Sequence, residues 1–129
     1  MSREMSTNLL ASELDLNRLV GTIIEKTKAG KLGWKATARD DVFIVSVGGD
    51  TTIKVSLDTV EIPGSKALAG HGITTELRRL ILMDEQGNTL VDVGHDKVPA
   101  VAELFELARR NALNVEQRVQ SLMEVLQKL

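Results

Sequence analysis

Apolar residues recur at helical spacing near the N-terminus of the chain. In "SELDLNRLVGTIIEKTKAG", apolar side chains at intervals of three and four residues predict an amphipathic helix. Ser12 followed by Asp15 resembles a capping box, and Gly30 provides a C-terminal stop. Residues 1–7 precede this helix and are expected to be flexible. The stripe expected to face the core consists of Leu16, Leu19, Val20, Ile23 and Thr27.

Alternation with a period of two follows and predicts three strands. "WKATA", "VFIVSV" and "TTIKVSL" each place apolar side chains on one face. Arg39-Asp40-Asp41 makes a polar turn, and Gly48-Gly49-Asp50 supplies the positive-φ positions of a tight hairpin. The pattern therefore predicts an antiparallel meander with one buried face. Its inward residues are Trp34, Ala36, Ala38, Phe43, Val45, Val47, Ile53, Val55 and Leu57.

Residues 58–75 break the alternation. Pro63-Gly64 and Gly70-His71-Gly72 punctuate the segment, which predicts a long loop of the kind that is usually functional or mobile. "ELRRLILMD" and "NTLVDVG" then predict a second hairpin across Glu85-Gln86-Gly87.

Two helices close the chain. "VPAVAELFELARRNAL" begins with Pro99 in its first turn, and Asn114 with Gln117 resembles a capping box that opens "VEQRVQSLMEVLQKL". The predicted order is α–β–β–β–loop–β–β–α–α. We therefore expect one α+β domain over residues 1–129, with helices on a five-stranded antiparallel sheet. The apolar stripes of the two helices are Val101, Leu104, Phe105 and Ala108, then Val115, Val119, Leu122, Leu126 and Leu129.

Composition narrows the possible functions. The chain has 129 residues, a net charge of −2, one Trp, two Phe and no Tyr. A nucleic-acid binder draws affinity from excess Lys and Arg and from exposed aromatic rings, so this class is disfavoured. The absence of cysteine excludes disulfides, thiolate nucleophiles and Cys-type zinc sites. No apolar run is long enough to span a bilayer, and the N-terminal stretch does not resemble a secretion signal, so we expect a cytoplasmic protein.

Two histidines raise the question of a catalytic or metal site. His71 and His95 would have to converge with carboxylates such as Glu76, Asp92 or Asp96 to form a hydrolytic zinc centre. The chain has no H-x-x-x-H or H-x-H spacing, which favours two solvated loop residues. Convergence of these side chains within a few ångströms would favour an enzyme.

Acidic and glycine-rich turns have simpler structural explanations. Asp40, Asp41, Asp50 and Asp58 do not follow the spacing of an EF-hand loop and are typical turn residues. Neither the Gly48-Gly49 turn nor Gly70–Gly72 precedes a helix, so nucleotide binding is disfavoured. We predict no cofactor.

Two arginine doublets are candidate binding residues. Arg78 and Arg79 lie on a predicted strand, so one of them must point to the helix-covered face unless it reaches an edge. An inward Arg needs a partner, and the doublet could also mark a protected edge or a dimer surface. Arg109-Arg110 complements the dipole of its helix. Nucleic-acid binding would require both doublets on one face with no carboxylates between them.

The last helix is the best candidate for an interaction surface. Its end is apolar over more than one stripe, so it either packs deeply on the sheet or presents a face to a second copy or a protein partner. The candidate interface residues are Leu122, Met123, Val125, Leu126 and Leu129, together with Arg78 and Arg79.

Several segments of the chain carry a resemblance. "TKAGKLGW" after the first helix, the meander, "DEQGNTL" and "LFELARRNAL" together resemble small uncharacterised bacterial α+β proteins, a likeness that implies no activity. The topology is also similar to that of small acidic type III secretion chaperones, which work as dimers. This chain differs from them in its two C-terminal helices and its long loop.

The sequence favours a non-enzymatic protein-interaction module, homodimeric or in a small complex. The alternatives are a secretion-chaperone-like protein or a metal-dependent hydrolase.

Overall fold

The computed structural model describes residues 2–62 and 73–129, with side chains from Asp15 onward. Its eight elements follow the predicted order. They are α1 (Ser2–Lys28), β1 (Lys35–Ala36), β2 (Val42–Val47), β3 (Thr51–Glu61), β4 (Thr74–Asp84), β5 (Thr89–Gly94), α2 (Ala100–Leu113) and α3 (Val115–Lys128).

The five strands form one antiparallel sheet in the spatial order β1-β2-β3-β4-β5. Every strand therefore pairs with its neighbour in sequence, and the α+β prediction with an N-terminal helix and two C-terminal helices is confirmed. The Gly48-Gly49 turn works as expected, because both glycines have positive φ (69 and 82) and bring Val47 opposite Thr51.

The β4–β5 turn is built around the carboxylate of Asp84. Its Oδ1 accepts hydrogen bonds from the backbone N–H groups of Gln86 and Asn88, at 2.9 and 2.8 Å, and Oδ2 accepts one from the Asn88 side chain. The Asn88 side-chain bond contributes most to holding the pKa of Asp84 below its ordinary value. Gly87 completes the turn with a φ of 84.

Alternation along the strands gives the sheet one face packed against helices. α1 and α2 lie side by side on this face, and the Phe43 and Phe105 rings meet edge to face with centroids 5.8 Å apart. Burial of these side chains removes apolar surface from water and provides the main stabilising term. The largest fully buried side chains are Phe43, Leu80, Leu104, Val20, Val55 and Val101.

Trp34 joins the end of α1 to the sheet and to α2. Its side chain is buried, and the indole Nε1–H donates to Thr27 Oγ1 at 3.0 Å. Its backbone N–H donates to Oδ1 of Asn111, near the end of α2, at 2.8 Å. Gly30 ends α1 as predicted, with a φ of 75 and a bond from Lys31 N–H to Lys26 C=O at 2.9 Å.

The start of α1 differs from the prediction. The helix begins at Ser2, so the capping box expected at Ser12 and Asp15 is wrong, and α1 takes in residues 2–7. The segment before Ser12 contains Met, Leu, Ala and Glu, which are good helix formers, and no Gly or Pro that would stop a helix.

The strands also differ from the predicted boundaries. β1 is two residues long, with Ala36 and Ala38 exposed rather than inward. Thr37 Oγ1 donates to Val42 C=O at 2.9 Å and accepts from the Arg39 N–H at 3.2 Å, and these bonds turn the chain after β1. The predicted loop 58–75 is wrong at both ends, since β3 and β4 pair as far as Glu61 and Thr74. Its middle, with Pro63-Gly64 and Gly70-His71-Gly72, lies outside the described residues.

The corner between α2 and α3 is a single residue, Asn114. Its backbone is left-handed (φ 52, ψ 46), and its side chain makes no capping hydrogen bond, so the predicted capping box with Gln117 is wrong. Instead, the backbone N–H of Asn114 bonds to Arg110 C=O and Asn111 C=O and closes α2. Asn is the residue that most readily adopts this conformation after Gly, which explains its place here.

Replacement of Asn111 by Ala tests the Trp34 junction. The substitution leaves the partly buried backbone N–H of Trp34 without its acceptor, so we expect the unfolding free energy to fall by about 1–2 kcal/mol. Urea unfolding followed by the fluorescence of this single Trp measures the change. Arg109→Ala, an exposed position of the same helix, is the control and is expected to stay within about 0.5 kcal/mol of wild type. Equal effects of the two substitutions would contradict the role of Asn111.

Replacement of Asp84 by Ala tests the β4–β5 turn through its pH dependence. Because the folded-state pKa lies below the unfolded one, the contribution is fully present above the ordinary value of 3.8 and is lost as pH falls through the folded pKa. We expect Asp84→Ala to be less stable than wild type at pH 7, with a difference that narrows in acid. Urea unfolding at pH 7 and below pH 4 measures it, with Glu85→Ala as control. A pH-independent difference would show that the carboxylate does not organise the turn.

Candidate interaction surface

α3 is an amphipathic helix with an uncovered apolar face. α2 buries four side chains in the core, whereas no residue of α3 is buried. Six of its apolar side chains, counting the residue that follows the helix, are each more than half exposed: Val119, Leu122, Met123, Val125, Leu126 and Leu129. Since a helix of 14 residues is marginal by itself in water, such a face is typical of a helix that packs against something else.

The apolar face of α3 is broad. Val115, Val119, Leu122, Leu126 and Leu129 repeat at alternating spacings of four and three and form its centre. Met123 and Val125 widen it on either side, because two residues separated by one lie about 160° apart around a helix of 3.6 residues per turn. The face thus covers nearly half the circumference of α3.

Charged residues flank this face on both sides. Glu116 and Arg118 are also two positions apart, so they lie on opposite edges with the apolar stripe between them. Glu116 is held by an exposed ion pair with Arg110 of α2, at 3.2 Å.

A second apolar surface lies beside α1. It is a groove of about 380 Å³ between α1 and the β2–β3 turn. Lys26 stands on the α1 wall and Asp50 on the turn wall, so the two walls carry opposite charges. The apolar lining consists of Leu19, Ile23, Leu32, Val47, Ile53 and Leu82.

Sequence reasoning missed this groove. The pattern predicts Val47 as an inward residue, and it lies at the end of β2 with 39% of its surface exposed. Periodicity shows which face a side chain occupies, but it does not show whether a helix reaches far enough to cover that position. The only sequence signal for an uncovered surface was the number of helices. Three helices are predicted, and two of them fill the core.

Arg79 lies among carboxylates on the face of the sheet opposite α1 and α2. Its Nε donates to Asp92 Oδ1 at 3.0 Å, Nη2 contacts Asp92 Oδ2, and Nη1 lies 3.1 Å from Asp58 Oδ2. The hydrogen bond to Asp92 is the largest cause of the raised pKa of Arg79. Arg39 extends the network, with its Nη2 3.9 Å from Asp58 Oδ1. These contacts account for Arg79 within the chain.

Arg78 points to the helix side, as the alternation requires for one member of the doublet. Its guanidinium carbon lies 5.7 Å from the centroid of the Phe105 ring, and its Nη2 lies 3.9 Å from Glu106 Oε1. This position combines a cation–π contact with a partly exposed ion pair. Arg78 packs beside residues of the middle of α2, whereas α3 leaves from the end of that helix. The structure therefore does not bring Arg78 or Arg79 into the apolar face of α3.

The arginine doublets do not form one basic surface. Arg78 and Arg79 occupy opposite faces of the sheet, and Arg79 is bound by two carboxylates. The arrangement required for nucleic-acid binding is therefore not met.

His95 continues the pairing of β4 and β5. Its backbone N–H donates to Arg78 C=O at 2.8 Å, and its Nδ1 accepts from the Arg78 N–H at 3.0 Å. His71 lies outside the described residues. Within residues 2–62 and 73–129, no three His, Asp or Glu side chains are grouped to hold a metal ion.

The acidic residues are separated in the same way. Asp41 and Asp58 share Arg39 at one end of the sheet. Asp50 lies in the β2–β3 turn at the opposite end, where it accepts a hydrogen bond from Thr51. The dispersion of these residues is consistent with their interpretation as turn and ion-pair residues.

Comparison of the chain with protein-family models, with curated proteins and with solved structures finds no match. Among the described residues, no helix combines the length and the apolar character that crossing a bilayer requires.

A double-mutant cycle on Arg79 and Asp92 tests the network of Arg79 with its carboxylates. The pair has two contacts and is only about one-third exposed, so we expect a coupling energy of about 0.5–1 kcal/mol that decreases at high salt. Urea unfolding of Arg79→Ala, Asp92→Ala and the double variant measures it. The more exposed Lys28–Glu103 pair is the control and is expected to couple less. Equal coupling energies in both cycles would contradict the expectation that the less exposed Arg79–Asp92 pair contributes more to stability.

Proposed function

We propose that this protein is a non-enzymatic protein-interaction module whose α3 binds a second copy of the chain. The observation that carries the proposal is the broad apolar face of α3, which the rest of the described chain leaves exposed. Burial of aliphatic surface is the main favourable term in protein association, and an uncovered stripe of this width supports a docking role.

A second copy of the chain is the partner that buries the most apolar surface. In a two-fold assembly, each chain contributes its own α3, so one association event buries both apolar faces. The gain from both faces then offsets the entropy that is lost once on binding. A small adaptor complex with another protein is the wider form of the same proposal.

The hydrolase alternative receives less support. The one described histidine, His95, has its Nδ1 engaged by the backbone of Arg78, and its backbone N–H is also bonded. Because Nδ1 accepts a hydrogen bond, the proton of the neutral imidazole is on Nε2, so neither ring nitrogen offers a free lone pair to a substrate or an ion. The interaction module is therefore the function that the described residues favour.

The double variant Leu126→Asp, Leu129→Asp tests the proposal. Burial of one Leu side chain is worth about 1.5–3 kcal/mol, and an unpaired buried carboxylate costs more. We therefore expect the dissociation constant of the dimer to rise at least about a hundredfold. Light scattering over a concentration series gives the mass, while circular dichroism and Trp34 fluorescence confirm that the domain remains folded.

The matched control places the same two charges on the polar side of the helix. Gln120→Asp, Gln127→Asp is expected to remain a dimer with the wild-type dissociation constant. A wild-type chain that is monomeric at all concentrations would refute the proposal. Equal weakening by both double variants would show that charge rather than lost apolar contact is responsible.

A further inference from the structure

We infer that α3 of each copy lies in the groove between α1 and the β2–β3 turn of the other copy, so that two chains exchange their C-terminal helices. The inference rests on the dimer of the proposed function and specifies its geometry. It follows from three independent features of the described chain: the width of the apolar face of α3, the shape of the groove, and the charges that border both.

The width of the face on α3 fits a groove better than another helix. Met123 and Val125 lie about 160° apart around α3, with the apolar stripe between them. A single partner helix covers the narrow seam of a two-stranded coiled coil and leaves such edges in water. A groove with a floor and two walls contacts the centre and both edges together, which is the way amphipathic helices bind in grooves.

The groove beside α1 has the matching form. Ile53 and Leu82 lie on its sheet side, α1 forms one wall, and the β2–β3 turn with Val47 forms the other. Its lining is mainly apolar, yet it adjoins a core that α1 and α2 fill by themselves. The chain therefore has both an apolar groove that no helix covers and a helix, α3, whose apolar face no surface covers.

The charges agree with this placement. Lys26 stands on the α1 wall and Asp50 on the turn wall, while Glu116 and Arg118 occupy opposite edges of the apolar face of α3. Placing Arg118 beside Asp50 pairs one edge of α3 with an opposite charge and turns the other edge, where Glu116 stays paired with Arg110 of its own chain, towards Lys26. Such complementarity fixes register and partner choice in helix docking.

Exchange between copies explains the exposure of α3. Its apolar side chains are more than half exposed within one chain, so the helix does not occupy the groove of its own copy. Direct pairing of α3 with its counterpart would leave both grooves open to water. Reciprocal insertion covers two helices and two grooves in one closed assembly, which is the form that domain swapping takes.

Engineered disulfides test the contact directly, because the chain contains no cysteine. The orientation places Met123 towards the α1 wall and Val125 towards the turn wall. Thr22 lines the groove on the α1 wall. Four single variants are made: Thr22→Cys and Val47→Cys in the groove, and Met123→Cys and Val125→Cys on α3. Pairs are unfolded together, refolded to mix the subunits, and oxidised gently. A denaturing gel then separates the 14.1 kDa chain from a covalent dimer of twice that mass.

We expect covalent dimers from the mixtures of Thr22→Cys with Met123→Cys and of Val47→Cys with Val125→Cys. Each variant alone is expected to stay largely uncrosslinked. Efficient crosslinking of Met123→Cys or Val125→Cys with itself, and none in the mixtures, would overturn the inference in favour of direct α3 pairing. No crosslink in a protein that light scattering shows to be a dimer would also overturn it, while leaving the proposed function intact. A monomer would refute both.

Charge reversal provides a second test that introduces no covalent bond. Asp50→Lys or Arg118→Glu alone juxtaposes like charges twice per dimer, and we expect the dissociation constant to rise by about fivefold. The double variant restores opposite charges and is expected to return to within about twofold of wild type. Lys128→Glu, on the polar side of α3, is the control. Additive rather than compensating effects of the two reversals would refute the placement.

Discussion

The burial of Trp34 is the constraint on which the arrangement of the helices depends. The chain has only three aromatic side chains, and this one lies where α1 has ended and the sheet begins. Its indole is bonded to Thr27 of α1 and its backbone to Asn111 of α2. The ends of both helices are thereby fixed to one point, which sets α1 and α2 side by side on the sheet.

This side-by-side placement determines which surfaces remain open. α1 contacts α2 along one flank and borders a groove along another, with the β2–β3 turn beyond it. α1 and α2 fill the described core, and α3 leaves the domain with its apolar face exposed. The proposed exchange is thus a consequence of core geometry, whereas the opposite face of the sheet is occupied by ion pairs of Arg39 and Arg79.

Periodicity predicted the elements, their order and the hairpins well, because these depend on short-range patterns. Gly48-Gly49 and Gly30 were informative since their backbone conformations exclude most other residues. The start of α1 and the length of β3 were harder to predict. A helix that continues towards the N-terminus is marked only by the lack of a stop signal, and the polar end of β3 has no strong alternation. The sequence left two alternatives for α3, a buried helix and an exposed one. The groove could not be predicted, because it exists only where α1 does not extend far enough over the sheet to cover Val47.

Asn114 gives the molecule a joint made of one residue. An L-amino acid in the left-handed region stores about 1–2 kcal/mol relative to the right-handed helix. With this residue helical, α2 and α3 would merge into one continuous rod spanning residues 100–128, about 44 Å long. A local backbone difference of this size is no larger than the gain from burying one Leu side chain, so contacts made by α3 weigh as much as Asn114 itself in setting the direction in which α3 extends.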